Sequence, residues 1–145
     1  MKSVNWRRVI LGGLIAGIII NAVEMTFHWL RVGGDWWFFQ ALIHSPIESR
    51  GYILSYIGMY TLKGIVAVWL YAVARPRFGP GPRTALITGF AYWVIGYVIP
   101  VVSFEPLMME DYAREMLRVP GLVALVELLL GTLVGARLYI ERPES

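Results

Sequence analysis

Three observations predict an all-α integral membrane protein, a bundle of four transmembrane helices. The chain is hydrophobic over 57% of its 145 residues and charged over only 16%, less charge than a soluble domain of that length carries. Mean hydropathy is +0.60. Long apolar stretches recur along the whole chain and leave no room for a separate soluble domain.

Four segments stand out, at about residues 9–29, 52–74, 84–104 and 121–140, forming a single transmembrane domain. Each has about twenty residues, enough to cross ~30 Å of hydrocarbon at ~1.5 Å per residue. Backbone polar groups in lipid must bond within their own segment, so each segment is a helix. Lys2, Arg7 and Arg8 ahead of the first segment imitate a signal peptide. No A-x-A-like site follows, and the run ends in aromatics, so it reads as a retained helix.

Charge sets the expected orientation. Lys2, Arg7, Arg8, Arg75, Arg77, Arg83, Arg137 and Arg142 fall on one side, against Arg31, Arg50, Arg114 and Arg118 on the other. The positive-inside rule then places both termini in the cytoplasm. The net charge of +3 is explained by orientation and anionic lipid rather than by nucleic acid. The absence of cysteine excludes disulfides, thiolate metal sites and a cysteine nucleophile.

The connections differ in kind. "RPRFGPGPR" reads as a tight cytoplasmic turn. The outer loop with Trp36, Trp37, Phe38 and Phe39 suits the headgroup zone as a short interfacial helix. "EPLMMEDYAREMLRVP" reads as a second short surface helix. Pro100 should kink the third segment, because its ring clashes with the Gly96 carbonyl.

Segment one carries a polar stripe. Gly13, Gly17, Asn21, Glu24 and His28 recur at helical spacing. In segment four Glu127, Gly131 and Gly135 share a face. Small-xxx-small pairs let helices approach closely in lipid. With the two segments antiparallel, both glycine pairs fall in the inner half and both glutamates roughly 7–9 Å below the outer boundary. The expectation is that segments one and four pack through Gly13, Gly17, Gly131 and Gly135, and that Glu24 and Glu127 face one another or share a small cavity. Lys63 of segment two, on a face with Tyr56 and Tyr60, snorkels toward them. Trp93 and Tyr97 of segment three complete aromatic walls, with Thr88 deeper. Two carboxylates and one ammonium would be balanced by a single shared proton.

Other chemistry fits less well. Glu24 and His28 at i, i+4 could hold a metal with Glu127, but the repeated E-x-x-H of di-iron bundles is absent. Haem would need His28, with His44 folding back. Met108, Met109 and Met116 read as one apolar face rather than a copper site. No G-x-S-x-G, P-loop or H-E-x-x-H occurs. No metal and no cofactor is expected.

"NWRRVILGGLIAGIIINAVE" together with "VWLYAVARPRFGPGPRTALITG" resembles small four-helix bacterial membrane proteins grouped as uncharacterised. That resemblance implies a four-helix membrane fold in a bacterial inner membrane. From the residues, the expected function is non-enzymatic: an outer-leaflet polar pocket that binds a small ligand, a lipid headgroup or a partner helix. The alternative is a membrane enzyme or proton-coupled carrier using Glu24 and Glu127, and the structural alternative is a Glu–Lys staple holding the helices in register. The expected partners are membrane lipids and a second copy or a larger membrane complex.

Overall fold

The first helix starts where Asn5 can cap it. The Asn5 side chain accepts from the Arg8 backbone N–H, and its amide donates to the Ile140 carbonyl at 3.0 Å, so one residue both opens α1 and ties the two ends of the chain together. The computed structural model describes residues 4–33, 50–104 and 112–140. Their helices are α1 (Trp6–Val32), α2 (Arg50–Phe78), α3 (Pro82–Trp93), α4 (Ile99–Phe104), α5 (Tyr112–Leu117) and α6 (Val119–Arg137). Between α3 and α4 lies a π-helical turn, Val94–Val98. The described residues are all helical apart from short connections, and four spans are long and apolar enough to cross a membrane: Trp6–Arg31, Ile53–Phe78, Pro82–Ser103 and Val119–Arg137.

The helix bounds shift by a few residues from the expected segments, and two of the shifts have a plain local cause. α2 runs on through Pro76 to Phe78, because a proline in the last turn removes only the bond to the Ala72 carbonyl. α6 ends at Arg137 rather than at Ile140, where Leu138 and Tyr139 close in tighter turns onto the Gly135 and Ala136 carbonyls. The turn after α2 uses two glycines in left-handed territory, Gly79 (φ 84°) and Gly81 (φ 123°), which residues with a Cβ adopt at a cost. The Thr84 hydroxyl donates to the Gly79 carbonyl at 2.7 Å, and the Gly81 N–H to the Tyr71 hydroxyl at 3.2 Å.

At Pro100 the third span widens into the π-turn. The Ile99 N–H reaches back five residues to the Val94 carbonyl, accommodating the ring that an unbroken α-helix would drive into the preceding turn. Tyr97, within the turn, donates to the Met116 carbonyl at 2.8 Å, and Trp93, just before it, donates to the Gly121 carbonyl at 2.9 Å. The third span is thereby tied to α5 and to the start of α6.

The helices pack through their smallest residues. α1 meets α2 where Gly64 lies against the Gly13 and Gly17 backbones; a Cβ on Gly64 would fall 2.7 Å from the Gly17 Cα. This corrects the expected partner of the Gly13–Gly17 pair, which faces Ile65, Thr61 and Gly64 of α2. α6 packs on the adjacent strip of α1: Gly135 meets Gly12 and Ala16, and Gly131 meets Ile20 and Ala16. Successive residues of a helix point ~100° apart, so Gly12 and Gly13 serve two different neighbours. One core cluster, with Val9, Val68, Tyr71 and Tyr139, lies near the chain ends; a second, Ile20, Tyr60 and Leu128, lies toward the opposite end. Ile18, Leu54, Ile95 and Leu122 are among many large apolar side chains that face outward, a surface that suits hydrocarbon and not water.

Candidate functional site

The second core cluster borders a group of charged side chains. α1 places Glu24 and His28 one turn apart on the face it turns to α2. The Tyr60 hydroxyl of α2 donates to Glu24 Oε1 at 2.6 Å, the Tyr56 hydroxyl lies 3.4 Å from the same oxygen, and His28 Nε2 lies 3.1 Å from it. Up to three donors thus converge on one carboxylate oxygen. The rings of Tyr56 and Tyr60 stand 4.7 Å apart.

From α6, Glu127 enters the bundle with only 1% of its side chain exposed. Lys63 Nζ of α2 stands 3.9 Å from Glu127 Oε1 and 4.0 Å from the centre of the Tyr60 ring. The lysine thus bridges the two carboxylate neighbourhoods, held by charge on one side and by a π-face on the other. Glu127 Oε2 is fully buried and has no hydrogen-bond partner among the described residues. Buried carboxylate oxygens rarely stay that way, because an unmade bond in a dry site is costly.

Glu24, His28, Tyr60, Lys63, Tyr97 and Glu127 all wall one cavity of about 200 Å³. Tyr56 does not line it but contacts Glu24 and Tyr60, which do. Asn21 does not reach it. One turn below, its amide donates to the Gly17 carbonyl at 2.8 Å and lies 3.4 Å from both the Ile57 carbonyl and the Thr61 hydroxyl, so it fastens α1 to α2. Trp93 packs against the adjoining Ile20, Tyr60 and Leu128 cluster rather than lining the cavity, and Thr88 stands apart from the cavity. The Trp93 indole is turned to the Gly121 carbonyl, and the Thr88 hydroxyl bonds the Thr84 carbonyl of its own helix at 2.9 Å. Gly13, Gly17, Gly131 and Gly135 take no part in the cavity.

Comparison of the chain with family models, with curated proteins and with solved structures finds no match. The chemistry of the site therefore rests on its own residues.

Sequence reasoning missed part of the wall. Phe27 and Arg31 of α1, together with Met116, Pro120 and Ala124, complete the cavity. Arg31 had entered only as a topological charge. Its signal was positional: i+3 from His28 and i+7 from Glu24, it extends the same stripe by one more step. Among the described residues no three of His, Asp and Glu gather closely enough to hold a metal ion. His44, Met108 and Met109, the aromatic run Trp36–Phe39 and residues 105–111 of the acidic segment lie outside the described residues.

Proposed function

We propose that the chain is a multi-pass protein of a bacterial cytoplasmic membrane, with both termini in the cytoplasm, and that it binds a small ligand in an intramembrane pocket of the outer leaflet without transforming it. Short interfacial helices in the outer loops belong to this reading. So do membrane lipids as partners and assembly with a second copy or a larger membrane complex.

One observation carries the ligand: the buried, unpartnered Oε2 of Glu127 at the wall of a cavity that also presents Glu24, Lys63 and His28. A staple built only for stability would close its hydrogen bonds internally. Asn21 Oδ1 is likewise left without a partner among the described residues, but only the glutamate oxygen belongs to a residue that walls a cavity a donor can enter. No G-x-S-x-G, P-loop or H-E-x-x-H occurs in the sequence, so binding is favoured over catalysis.

A high-resolution map of natively purified protein tests the reading. Non-protein density between Glu24 and Glu127 is expected. A cavity collapsed around Lys63 bonded to both carboxylates would return the cluster to a structural role.

A further inference from the structure

We infer that the ligand is a glycerophospholipid with a primary-amine headgroup, which enters sideways from the bilayer between α1 and α6. The inference rests on the pocket reading above and adds the chemical class of its occupant. Three spaces meet at one residue. Phe27 walls the polar cavity of Glu24, Lys63 and Glu127. It also walls an outer cavity of about 500 Å³ with Arg31 and Arg118, and an apolar trough of about 400 Å³ with Val23, Leu30 and Val123.

Each space suits one part of such a lipid. Deep inside, two carboxylates face one lysine, and Glu127 Oε2 still lacks a donor among the described residues. A primary ammonium offers three N–H donors and a positive charge. A quaternary ammonium has the charge but no N–H to give. Seven residues along α1 from Glu24, about 10 Å, Arg31 walls both the polar and the outer cavity. With Arg118 across the outer cavity, where Glu115 lies 3.3 Å from the Arg118 guanidinium, it presents guanidinium groups whose planar donors match phosphate. The trough spans Ala22 to Leu30, about 12 Å along the axis, most of the ~15 Å of one leaflet. It descends from the arginines toward the middle of the span, the course of an acyl chain hanging from its phosphate. The lipid would bend at the phosphate, its chain outside Phe27 and its amine inside.

The full chain is reconstituted in nanodiscs of equal parts phosphatidylethanolamine, its N-methyl, N,N-dimethyl and choline analogues, and phosphatidylglycerol, all with the same acyl chains. Lipids that remain bound are then read by native mass spectrometry. Retention of the primary amine is expected to exceed that of choline by roughly tenfold, the worth of one charge-assisted hydrogen bond, and to fall stepwise with methylation. This series needs no variant. Glu127→Gln should remove the preference, and Val123→Trp, which fills the trough, should lower lipid retention while soluble phosphoethanolamine still protects the fold against heat. Equal retention of all five lipids, or preference for phosphatidylglycerol, would overturn the inference. So would soluble phosphoethanolamine displacing the lipid with Val123→Trp without effect, which would assign the site to a free amine phosphate. In any of these cases density between the glutamates in the natively purified protein would leave the pocket reading standing. A site with neither density nor a mass that Glu127→Gln removes would end both.

Discussion

At the scale of the residue, Lys63 is the hinge of the charge cluster. It stands 3.9 Å from a carboxylate that is 99% buried and covers the ring whose hydroxyl holds the other. Two carboxylates brought together in a medium of low dielectric repel unless a positive charge or a proton lies between them. Lys63→Met should therefore cost about 3 kcal/mol of stability, because it strands a buried charge rather than merely deleting a contact. Lys63→Met combined with Glu127→Gln should recover much of that loss. Thermal melts of the four proteins of this double-mutant cycle measure the coupling. Additive losses would mean that the lysine and the glutamate do not act on each other. Tyr60 and Tyr56 play a different part, supplying donors to Glu24 that keep α1 and α2 in register beside the cavity.

At the scale of the element, the bundle is organised by where side chains are missing. Helices in lipid gain little from burying apolar surface, so close backbone approach and dispersion must hold them. Gly64 sits at the closest α1–α2 approach, whereas a Cβ on Gly58 of the same helix would meet nothing within 4 Å. Gly64→Ala should lower stability by about 1–3 kcal/mol through overpacking. Gly58→Ala should be neutral or slightly stabilising, since alanine is the better helix former. Melting both variants in the same detergent checks this; equal behaviour would show that the helices do not meet at Gly64. The π-turn Val94–Val98 is a second device at this scale. It takes up the proline that follows and lies where Tyr97 and Trp93 reach across to α5 and α6.

For the molecule as a whole, the antiparallel order brings Asn5 and Ile140 together at the end opposite Glu24 and Glu127. Under the orientation we propose from the positive-inside rule, the end with Asn5 and Ile140 faces the cytoplasm. Because the native chain has no cysteine, single cysteines introduced at Ser3, Ser49 and Ser145 report without background. In intact cells an impermeant thiol reagent should label Ser49→Cys and spare Ser3→Cys and Ser145→Cys. Labelling at position 3 would invert the bundle and place the polar cavity in the inner leaflet.

Much of this was open to a reader of the sequence alone. Hydropathy determines four spans because burial in hydrocarbon depends on composition over about twenty residues, a local property. Helical spacing likewise puts Gly13, Gly17, Asn21, Glu24 and His28 on one stripe, whatever that stripe touches. The neighbour of the stripe was not legible. Gly12 and Gly13 differ by one residue and ~100° of rotation, and small residues in both α2 and α6 could have received either. Only the packed bundle decided that Gly13 and Gly17 go to α2 while Gly12 and Ala16 go to α6. The same rotation withdrew Asn21 from the cavity and brought Phe27 and Arg31 into it. A stripe is written along one helix, but a cavity is the space that several helices leave unfilled, and its shape exists only once their rotations and crossings are set together.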